Sequence, residues 1–264
     1  MTSQPGAARA GGRPVAGIGR VLMWKGASVW IGRDTGQAQP HAHHAIQITL
    51  APAQPVRLKA GGDLDWQALS AAIVMPDRPH QFDGRGEAVA MVFVEPETLA
   101  GRALLARHGG ADLSPLHDDA LHALATALHA AFNARAADAV LVARARQVID
   151  HLAGQTPAPT PVDSRIDAAL DWLRARLDRD ITLAQAAAIA HLSPSRFRHL
   201  FVEQTGISFR AYLLWARVEA AVGAGMAGSS WTQAAQSAGF ADSAHLSRTC
   251  RRMFGLAPTM LVRE

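Results

Sequence analysis

Two segments in the C-terminal half of the chain repeat one plan, and this repeat constrains the fold more than any other feature. "ITLAQAAAIAHLSPSRFRHLFVEQTG" covers residues 181–206, and "SSWTQAAQSAGFADSAHLSRTCRRMFG" covers residues 229–255. Each segment has a polar residue that can cap a helix, an alanine-rich stretch, a short turn, and a second stretch with basic residues that ends at glycine. Two helices joined by a tight turn, the second amphipathic and basic, are typical of a helix-turn-helix unit.

Local signals define the helix ends in the first unit. Thr182, followed three residues later by Gln185, predicts a capping box at the start of the first helix. Ser193 is a good N-cap for the second helix, and Pro194 suits its first position. Gly206 is expected to stop this helix in a left-handed conformation.

The second helix of this unit has two different faces. Phe197, Leu200 and Phe201 recur at helical spacing and predict an apolar stripe that packs on the core. Arginine on the opposite face can reach guanine in the major groove of DNA. The alternative is an amphipathic surface helix whose charges only meet water. We expect the polar face to contact DNA through Ser195, Arg196, Arg198 and His199.

The second unit carries equivalent signals. Ser229 or Ser230 caps its first helix, Gly239 makes the turn, and Asp242 or Ser243 caps its second helix. Leu246 and Cys250 fall on the core face of that helix. Burial there raises the pKa of a thiol, so Cys250 is expected to be a core residue and not a reactive thiol. Base contacts are expected from Ser243, Ala244, Ser247 and Arg248, and phosphate contacts from Arg251 and Arg252.

The net positive charge of the chain comes entirely from this half. Residues 164–264 contain 12 arginines against 8 acidic residues, whereas residues 1–163 contain 14 lysines and arginines against 14 acidic residues. Because the guanidinium group binds phosphate and guanine in a bidentate manner, an arginine-only excess favours nucleic acid as a partner. A solvated arginine-rich surface is the alternative.

Residues 166–262 resemble the DNA-binding domain of the AraC/XylS transcription regulators. The resemblance includes the connecting helix "GISFRAYLLWARVEAA" and the signature "AAQSAGFADSAHLSRTCRRMFGLAP". It implies a sequence-specific regulator of transcription and not an enzyme. Three departures are apparent: Cys250 replaces a usual Phe, Trp231 replaces Ile or Val, and "GAGMAGSS" replaces leucines. We expect the last to loosen the start of the second unit.

The N-terminal half has a different pattern. Five short apolar runs between residues 15 and 99 are punctuated by Gly, Pro and Asp at the spacing of a sandwich or barrel. Leucines at helical spacing over residues 116–152 predict an antiparallel helix pair. The predicted class is α+β, with a cupin-like barrel implied by the resemblance. The expected organisation is a disordered tail (1–14), a barrel that senses an effector (15–99), a helical hairpin (100–153), a Pro-rich linker (154–163) and the DNA-binding domain (164–264).

Histidines form the candidate site of this half. "HAHHAIQ" is expected to place His41 and His43 on one side of a strand, with Gln47 on the same face, and "PDRPH" supplies His80 later in the chain. The cupin metal motif has two such histidines, a Glu and a third histidine, so Gln47 departs from it. His41, His43, His80 and Gln47 are possible ligands for a divalent metal, although a regulator requires no cofactor. The alternatives are a barrel core or an effector pocket formed by these residues and His44, with Trp24, Trp30, Trp66 and Phe82 as further lining.

Partners and compartment follow from the same features. One cysteine allows no intrachain disulfide, so a reducing cytoplasm is expected, and no apolar run is long enough for a membrane span. The expected partners are double-stranded DNA, a small-molecule effector, a second copy of the chain through the helical hairpin, and RNA polymerase if the protein is an activator. The alternative from another class is a metal-dependent cupin enzyme that carries a helical domain.

Overall fold

A computed structural model confirms the α+β class, with a sheet-rich N-terminal region followed by a helical C-terminal region. The structure describes residues 17–34, 36–61, 65–154 and 160–264. The tail expected at 1–14 and much of the linker expected at 154–163 lie outside these residues. No helix in the described part of the chain has the length and apolar character needed to cross a membrane.

Ten strands form two sheets in the described residues. The larger sheet has the order β10-β1-β2-β8-β3-β6-β9, and the smaller has the order β5-β4-β7. The strands are β1 (Gly17–Trp24), β2 (Ala27–Asp34), β3 (Ile46–Leu50), β4 (Val56–Ala60), β5 (Gln67–Leu69), β6 (Ala71–Val74), β7 (His80–Asp83), β8 (Ala88–Val94), β9 (Leu113–Pro115) and β10 (Leu261–Arg263).

The helices fall into two groups, one packed on the larger sheet and one forming the C-terminal region. The first group is α1 (Leu99–His108), α2 (Asp119–Asn133) and α3 (Asp138–Ala153). The second is α4 (Ser164–Arg174), α5 (Leu183–Ile189), α6 (Pro194–Thr205), α7 (Phe209–Met226), α8 (Trp231–Ser237) and α9 (Ser243–Phe254).

Side chains alternate along the central strands, so the two faces of the larger sheet pack against different layers of the structure. On β3, Ile46, Ile48 and Leu50 share an apolar core with α1, α2 and α3. The residues between them, Gln47 and Thr49, are buried on the opposite face, because successive side chains of a strand point to opposite sides. That opposite face is covered partly by the smaller sheet and partly by the C-terminal helices.

The boundaries drawn from sequence miss several short elements. The five apolar runs correspond to β1 with β2, β3, β4, β6 and β8, but β5, β7 and β9 are three or four residues long and polar in part. Two strands come from outside residues 15–99: β9 from the segment expected to be helical, and β10 from the segment expected to bind DNA. β10 pairs in parallel with β1, so the C-terminal segment contributes an edge strand to the N-terminal sheet.

The C-terminal helices share one apolar core with the sheet. Trp215 of α7 and Phe254 at the end of α9 lie in the same cluster as Trp30 and Phe93 of the larger sheet. The Trp30 and Phe254 rings have centroids 4.8 Å apart. The two regions therefore do not meet through a solvated contact but through side chains that are buried by both.

A buried ionic network crosses the same junction. Arg174 of α4 is paired with Glu95, which follows β8, and donates to the hydroxyl of Tyr212 over 2.7 Å. A carboxylate oxygen of Glu219 on α7 lies 3.7 Å from the guanidinium group. Burial, with Glu95 beside it, raises the pKa of Glu219 well above its usual value. Beside them, His44 lies 2.9 Å from Glu97.

The repeat of the C-terminal half is a pair of matched helix-turn-helix units, as predicted. α5 and α8 each have seven residues, and α6 and α9 each have twelve. The predicted capping box at Thr182 and Gln185 is confirmed, and Ser230 forms the equivalent box in the second unit. Ser193 and Asp242 cap the second helices, which both end at left-handed glycines.

The glycine-rich segment before the second unit is helical and tightly packed, contrary to the loosening expected. α7 continues through Gly223 and Gly225 to Met226. A Cβ atom on Gly225 would lie 2.2 Å from the Trp231 ring, a distance that no side chain tolerates. The glycine and the tryptophan are therefore matched: the larger side chain occupies the volume that the missing Cβ leaves.

We expect Gly225→Ala to lower the free energy of unfolding by about 1–3 kcal/mol, because the added methyl group overpacks the Trp231 ring. In a Trp231→Val background the same substitution should be neutral or stabilising by about 0.5–1 kcal/mol, since alanine is the better helix former. Urea unfolding of the four proteins in this cycle measures both effects. An equal cost in both backgrounds would contradict the match.

The ionic network makes a second prediction. Arg174→Met should lower the free energy of unfolding by about 3–5 kcal/mol, because it leaves Glu95 buried without its cation. Lys25→Met is the matched control, because Lys25 also crosses the junction, to Asp171 at 2.7 Å, but both side chains are more than half exposed. Its cost should be below about 1 kcal/mol. Similar costs for the two variants would show that the buried network does not hold the junction.

Candidate nucleic-acid interface and histidine cluster

The first candidate reading helix, α6, has the two faces predicted from its sequence. Phe197 and Phe201 are buried against the other helices of the unit. Ser193 caps the helix by accepting a hydrogen bond from Arg196 N–H. All four residues predicted to contact DNA are exposed: Ser195, Arg196, Arg198 and His199.

The second candidate reading helix, α9, is similarly arranged. Leu246 and Cys250 are buried, and burial raises the pKa of the Cys250 thiol to about 12, which suits a core residue. Ser243 and Ser247 are half-buried at the edge of the exposed face. The other predicted contacts are exposed, namely Ala244, Arg248, Arg251 and Arg252.

The arginines of this surface have no acidic partners. None of those at 196, 198, 248, 251 and 252 forms an ion pair within the described residues, whereas Arg165 and Arg174 elsewhere in the region do. Arginines without carboxylate partners retain their full charge for phosphate groups. The surface therefore has the electrostatic character expected of a nucleic-acid interface.

The structure adds two basic residues that sequence reasoning missed. Arg210 on α7 and His245 on α9 line the groove between the two units, together with Arg198 and Arg248. Arg210 lies in the first turn of α7, where a cation opposes the helix dipole. This unfavourable position of Arg210 is visible in the sequence and could have marked it as a functional residue, because a residue that is unfavourable for its helix often serves another purpose.

Three histidines converge between the sheets and the C-terminal helices. His41 and His43 lie in the extended segment before β3 rather than within a strand, and His41 forms an isolated bridge with His80 of β7. The His41 and His80 ring centroids are 4.2 Å apart, and those of His43 and His80 are 4.9 Å apart. One ring nitrogen from each residue lies within 4.8 Å of the others. The structure thus assembles the three histidines that the sequence grouped.

Each histidine of this cluster donates Nδ1–H to a backbone carbonyl. The acceptors are Gln39 for His41, Ala45 for His43 and Arg78 for His80, at distances of 2.8, 2.9 and 2.8 Å. Burial, and then the neighbouring His80, lower the pKa of His41 to about 3. Burial also lowers the pKa of His43 and of His80. The three imidazoles are therefore neutral at physiological pH.

Gln47 completes the cluster, whereas His44 does not join it. The Gln47 Oε1 atom lies 3.1 Å from Nε2 of His43 and 3.3 Å from Nε2 of His80, and its amide nitrogen donates to Thr49. His44 points away from the cluster and contacts Glu97 in the ionic network. The structure therefore places His44 at the junction between the regions and not with the other four candidate residues.

A cavity of about 80 Å³ adjoins the cluster. His41 and Gln47 line it, and so does Trp30, whose indole N–H has no hydrogen-bond partner. Of the other proposed lining aromatics, Phe82 lines the cavity, but Trp24 packs beside the helices on the far side of the sheet and Trp66 contacts Arg57 and Lys59. The remaining wall comes from both regions and includes Met91, Phe93, Met226, Phe254, Leu256 and Leu261.

Comparison with known proteins agrees with this architecture. Residues 186–264 match the family described as helix-turn-helix domain. The chain is 31% identical over 105 residues to the regulatory protein PocR of Salmonella typhimurium, a match covering 39% of this chain and 34% of PocR. It is 30% identical over 90 residues to the probable transcriptional regulator LumQ of Photobacterium leiognathi, covering 34% and 36%. The matches span about a third of the length of these relatives.

One similar solved structure extends over nearly the whole chain. It is the unsaturated fatty acid-bound form of ToxT from Vibrio cholerae, with a TM-score of 0.55 and 11% identity, covering 89% of this chain and 95% of ToxT. At this identity the likeness shows a shared fold. The family match, the two capped units and the left-handed glycines that end them identify residues 186–264 as a helix-turn-helix domain.

Proposed function

We propose that the protein is a sequence-specific DNA-binding regulator of transcription, acting in the cytoplasm. The observation that carries the proposal is the pair of matched helix-turn-helix units, each presenting an exposed arginine-bearing face without acidic partners. The 18-residue helix α7 joins the units, and its length of about 27 Å suits a rigid spacer between two reading helices. Such a spacer favours placement of the two units in successive major grooves.

The two kinds of contact have separate roles in this proposal. Base edges are read from α6 by Ser195, Arg198 and His199, and from α9 by Ser243, Ala244, Ser247 and Arg248. Phosphates are contacted by Arg196, Arg210, Arg251 and Arg252, which fix the register of the protein on DNA without reading sequence.

We further propose that a small molecule binds at the junction cavity and regulates DNA binding. The cavity wall combines apolar side chains with a free indole N–H from Trp30, which suits an apolar ligand that carries a hydrogen-bond acceptor. A cavity of roughly 150 Å³ binds benzene, so a ligand of that size would have to enlarge this one. Since Phe254 and Leu261 form part of the wall, enlargement would move the C-terminal region. ToxT, whose fold is similar, has a structure with an unsaturated fatty acid bound.

Dimerisation and contact with RNA polymerase remain predictions. The apolar residues of α2 and α3 that suggested a dimer surface, Leu128, Leu141 and Val148 among them, are buried against the chain's own sheet. Val140 is the exposed large apolar side chain of this hairpin in the described residues. A homodimer through the hairpin would therefore rely on the polar face of these helices. Two half-sites would still strengthen DNA binding.

The alternative function is a metal-dependent enzyme of the cupin type. It uses the same histidines, which are only 2–8% exposed, and His43 packs against Phe254 and Trp215. A substrate would have to reach the cluster through the cavity beside His41 and Gln47, which at about 80 Å³ is smaller than the roughly 150 Å³ cavity that holds benzene. It also gives no role to the paired units with their unpaired arginines, so the regulator is the function that accounts for more of the structure.

Selection of randomised DNA duplexes with the full chain, at two salt concentrations, tests the regulator proposal. We expect an enriched site with two blocks about one helical turn apart. Arg198→Ala should cost roughly 1–3 kcal/mol of binding free energy and relax the preference at one position, because it removes a bidentate contact with guanine. Arg251→Ala should weaken binding to all sequences equally and reduce the salt slope by about 1.

Arg144→Ala is the matched control, because Arg144 is an exposed arginine on α3, outside the helix-turn-helix units. It should leave both affinity and preference unchanged. Equal effects of the substitutions at 198 and 251 would remove the base-reading role of Arg198. Absence of any enriched sequence at low salt would contradict the regulator proposal itself.

A further inference from the structure

Each ring of the histidine cluster keeps one nitrogen without a proton. A backbone carbonyl can only accept a hydrogen bond, so the three Nδ1···O contacts fix the proton of each ring on Nδ1. Each Nε2 atom is then left as an acceptor. Two of them, on His43 and His80, lie within hydrogen-bond distance of the Gln47 side-chain amide. The cluster therefore gathers unprotonated imidazole nitrogens inside a buried site.

This arrangement is the one that metal-binding histidines adopt. A ligating imidazole nearly always donates its second ring N–H to a carbonyl or carboxylate, which fixes the tautomer and orients the free nitrogen. Here all three rings already have that second hydrogen bond. The rings need only close from their present spacing, within 4.8 Å, to the nitrogen separation of about 3.4 Å that a tetrahedral ion with bonds of about 2.0–2.1 Å requires.

The donor set selects the class of cation. Three imidazoles and one amide oxygen, with no carboxylate, suit a borderline ion such as Zn²⁺ or Co²⁺ rather than Ca²⁺ or Mg²⁺, which prefer sites built of oxygen ligands. His41 and Gln47 also line the cavity, which has room for a water molecule to complete the coordination.

The cluster touches the end of the second reading helix. The ring of His43 lies 5.9 Å from the ring of Phe254, the last residue of α9. Gln39 N–H donates to the carbonyl of Gly255 over 3.1 Å, and a Cβ on Gly255 would lie 2.8 Å from His41 Nδ1. Movement of His41 or His43 therefore transmits directly to the C-terminal end of α9.

We propose that His41, His43 and His80 bind one borderline divalent cation, with Gln47 as a fourth neighbour, and that the bound cation alters the packing of α9 and hence DNA affinity. The first part stands on the cluster alone. The second part rests on the proposed function.

Titration of the chelator-treated full chain with Co²⁺ tests the first part. We expect one Co²⁺ per chain, visible absorption bands of tetrahedral intensity, displacement of Co²⁺ by Zn²⁺, and a higher unfolding temperature with metal. His80→Ala should abolish these bands. His129→Ala is the control, because His129 is also buried but lies on the far side of the sheet, where its ring contacts the carbonyl of Leu50. This variant should bind Co²⁺ as the unaltered chain does.

A variant that is expected to bind more tightly gives a test that a misfolded protein cannot pass. Gln47→Glu should bind Zn²⁺ about tenfold more tightly or better, since a carboxylate is the stronger ligand. Without metal it should be less stable than the unaltered chain, because it buries a charge without a partner. Absence of Co²⁺ bands in the unaltered chain, or equal Zn²⁺ affinity of the Gln47→Glu variant, overturns the metal site.

The second part has its own readout. Affinity for the selected DNA site is measured for the chelator-treated and Zn²⁺-loaded chains, with His80→Ala as the variant that should not respond to Zn²⁺. We expect at least a fivefold difference between the two states of the unaltered chain. Metal binding without any change in DNA affinity overturns the regulatory role and leaves the metal site standing. Loss of DNA binding in both states would instead contradict the proposed function.

Discussion

A partly buried guanidinium group between two regions of the chain fixes how they meet. Arg174 belongs to the helical region, and its partner Glu95 follows the last central strand of the sheet, so Glu95 has no cation beside it unless the regions stay together. A buried charge without a partner is strongly unfavourable. The rings of Trp215, Phe254 and Trp30 beside this network bury apolar surface area, but apolar contacts alone select no single relative orientation of the two regions. The ion pair is directional, and it therefore specifies the orientation in which these rings pack.

This fixed orientation brings the histidine cluster to the end of α9. In a chain whose regions were joined only by a linker, a change in the sheet would need a separate route to the exposed face of α9. Here Phe254 contacts His43 and lines the cavity, while Arg248 lies on the exposed face of the same helix. A change at the cluster therefore reaches α9 through one side chain. The path from the histidine cluster to α9 is short because the sheet and the C-terminal helices share one apolar core.

Local features of the fold follow from the sequence, and long-range ones do not. Helix caps at Thr182 and Ser193 depend on residues three positions away, so short windows of sequence predict them. The pairing of Arg174 with Glu95 spans 79 residues and leaves no local pattern. Short strands such as β7 and β10 were missed because pairing with neighbours, not their own composition, makes them extended.

The candidate site shows the same division. The resemblance to a motif correctly groups His41, His43 and His80. His44 joins that predicted group only because it is adjacent in sequence. Its side chain contacts Glu97, 53 residues further along the chain, and no local pattern reveals that contact. From the sequence, Trp231 is only one apolar residue in place of another, because nothing at its own position reveals that Gly225 leaves the volume that its ring fills.

The pairing of β10 with β1 has a consequence for synthesis on the ribosome. Chains grow from the N-terminus at about 5–20 residues per second, so β1 emerges many seconds before residues 261–263 exist. Until then its outer edge is unpaired, and the apolar face of the sheet that Trp215 and Phe254 later cover is open to solvent. The sheet of the growing chain thus exposes an unpaired strand edge, a feature that favours pairing with other chains, until residues 261–263 have been made.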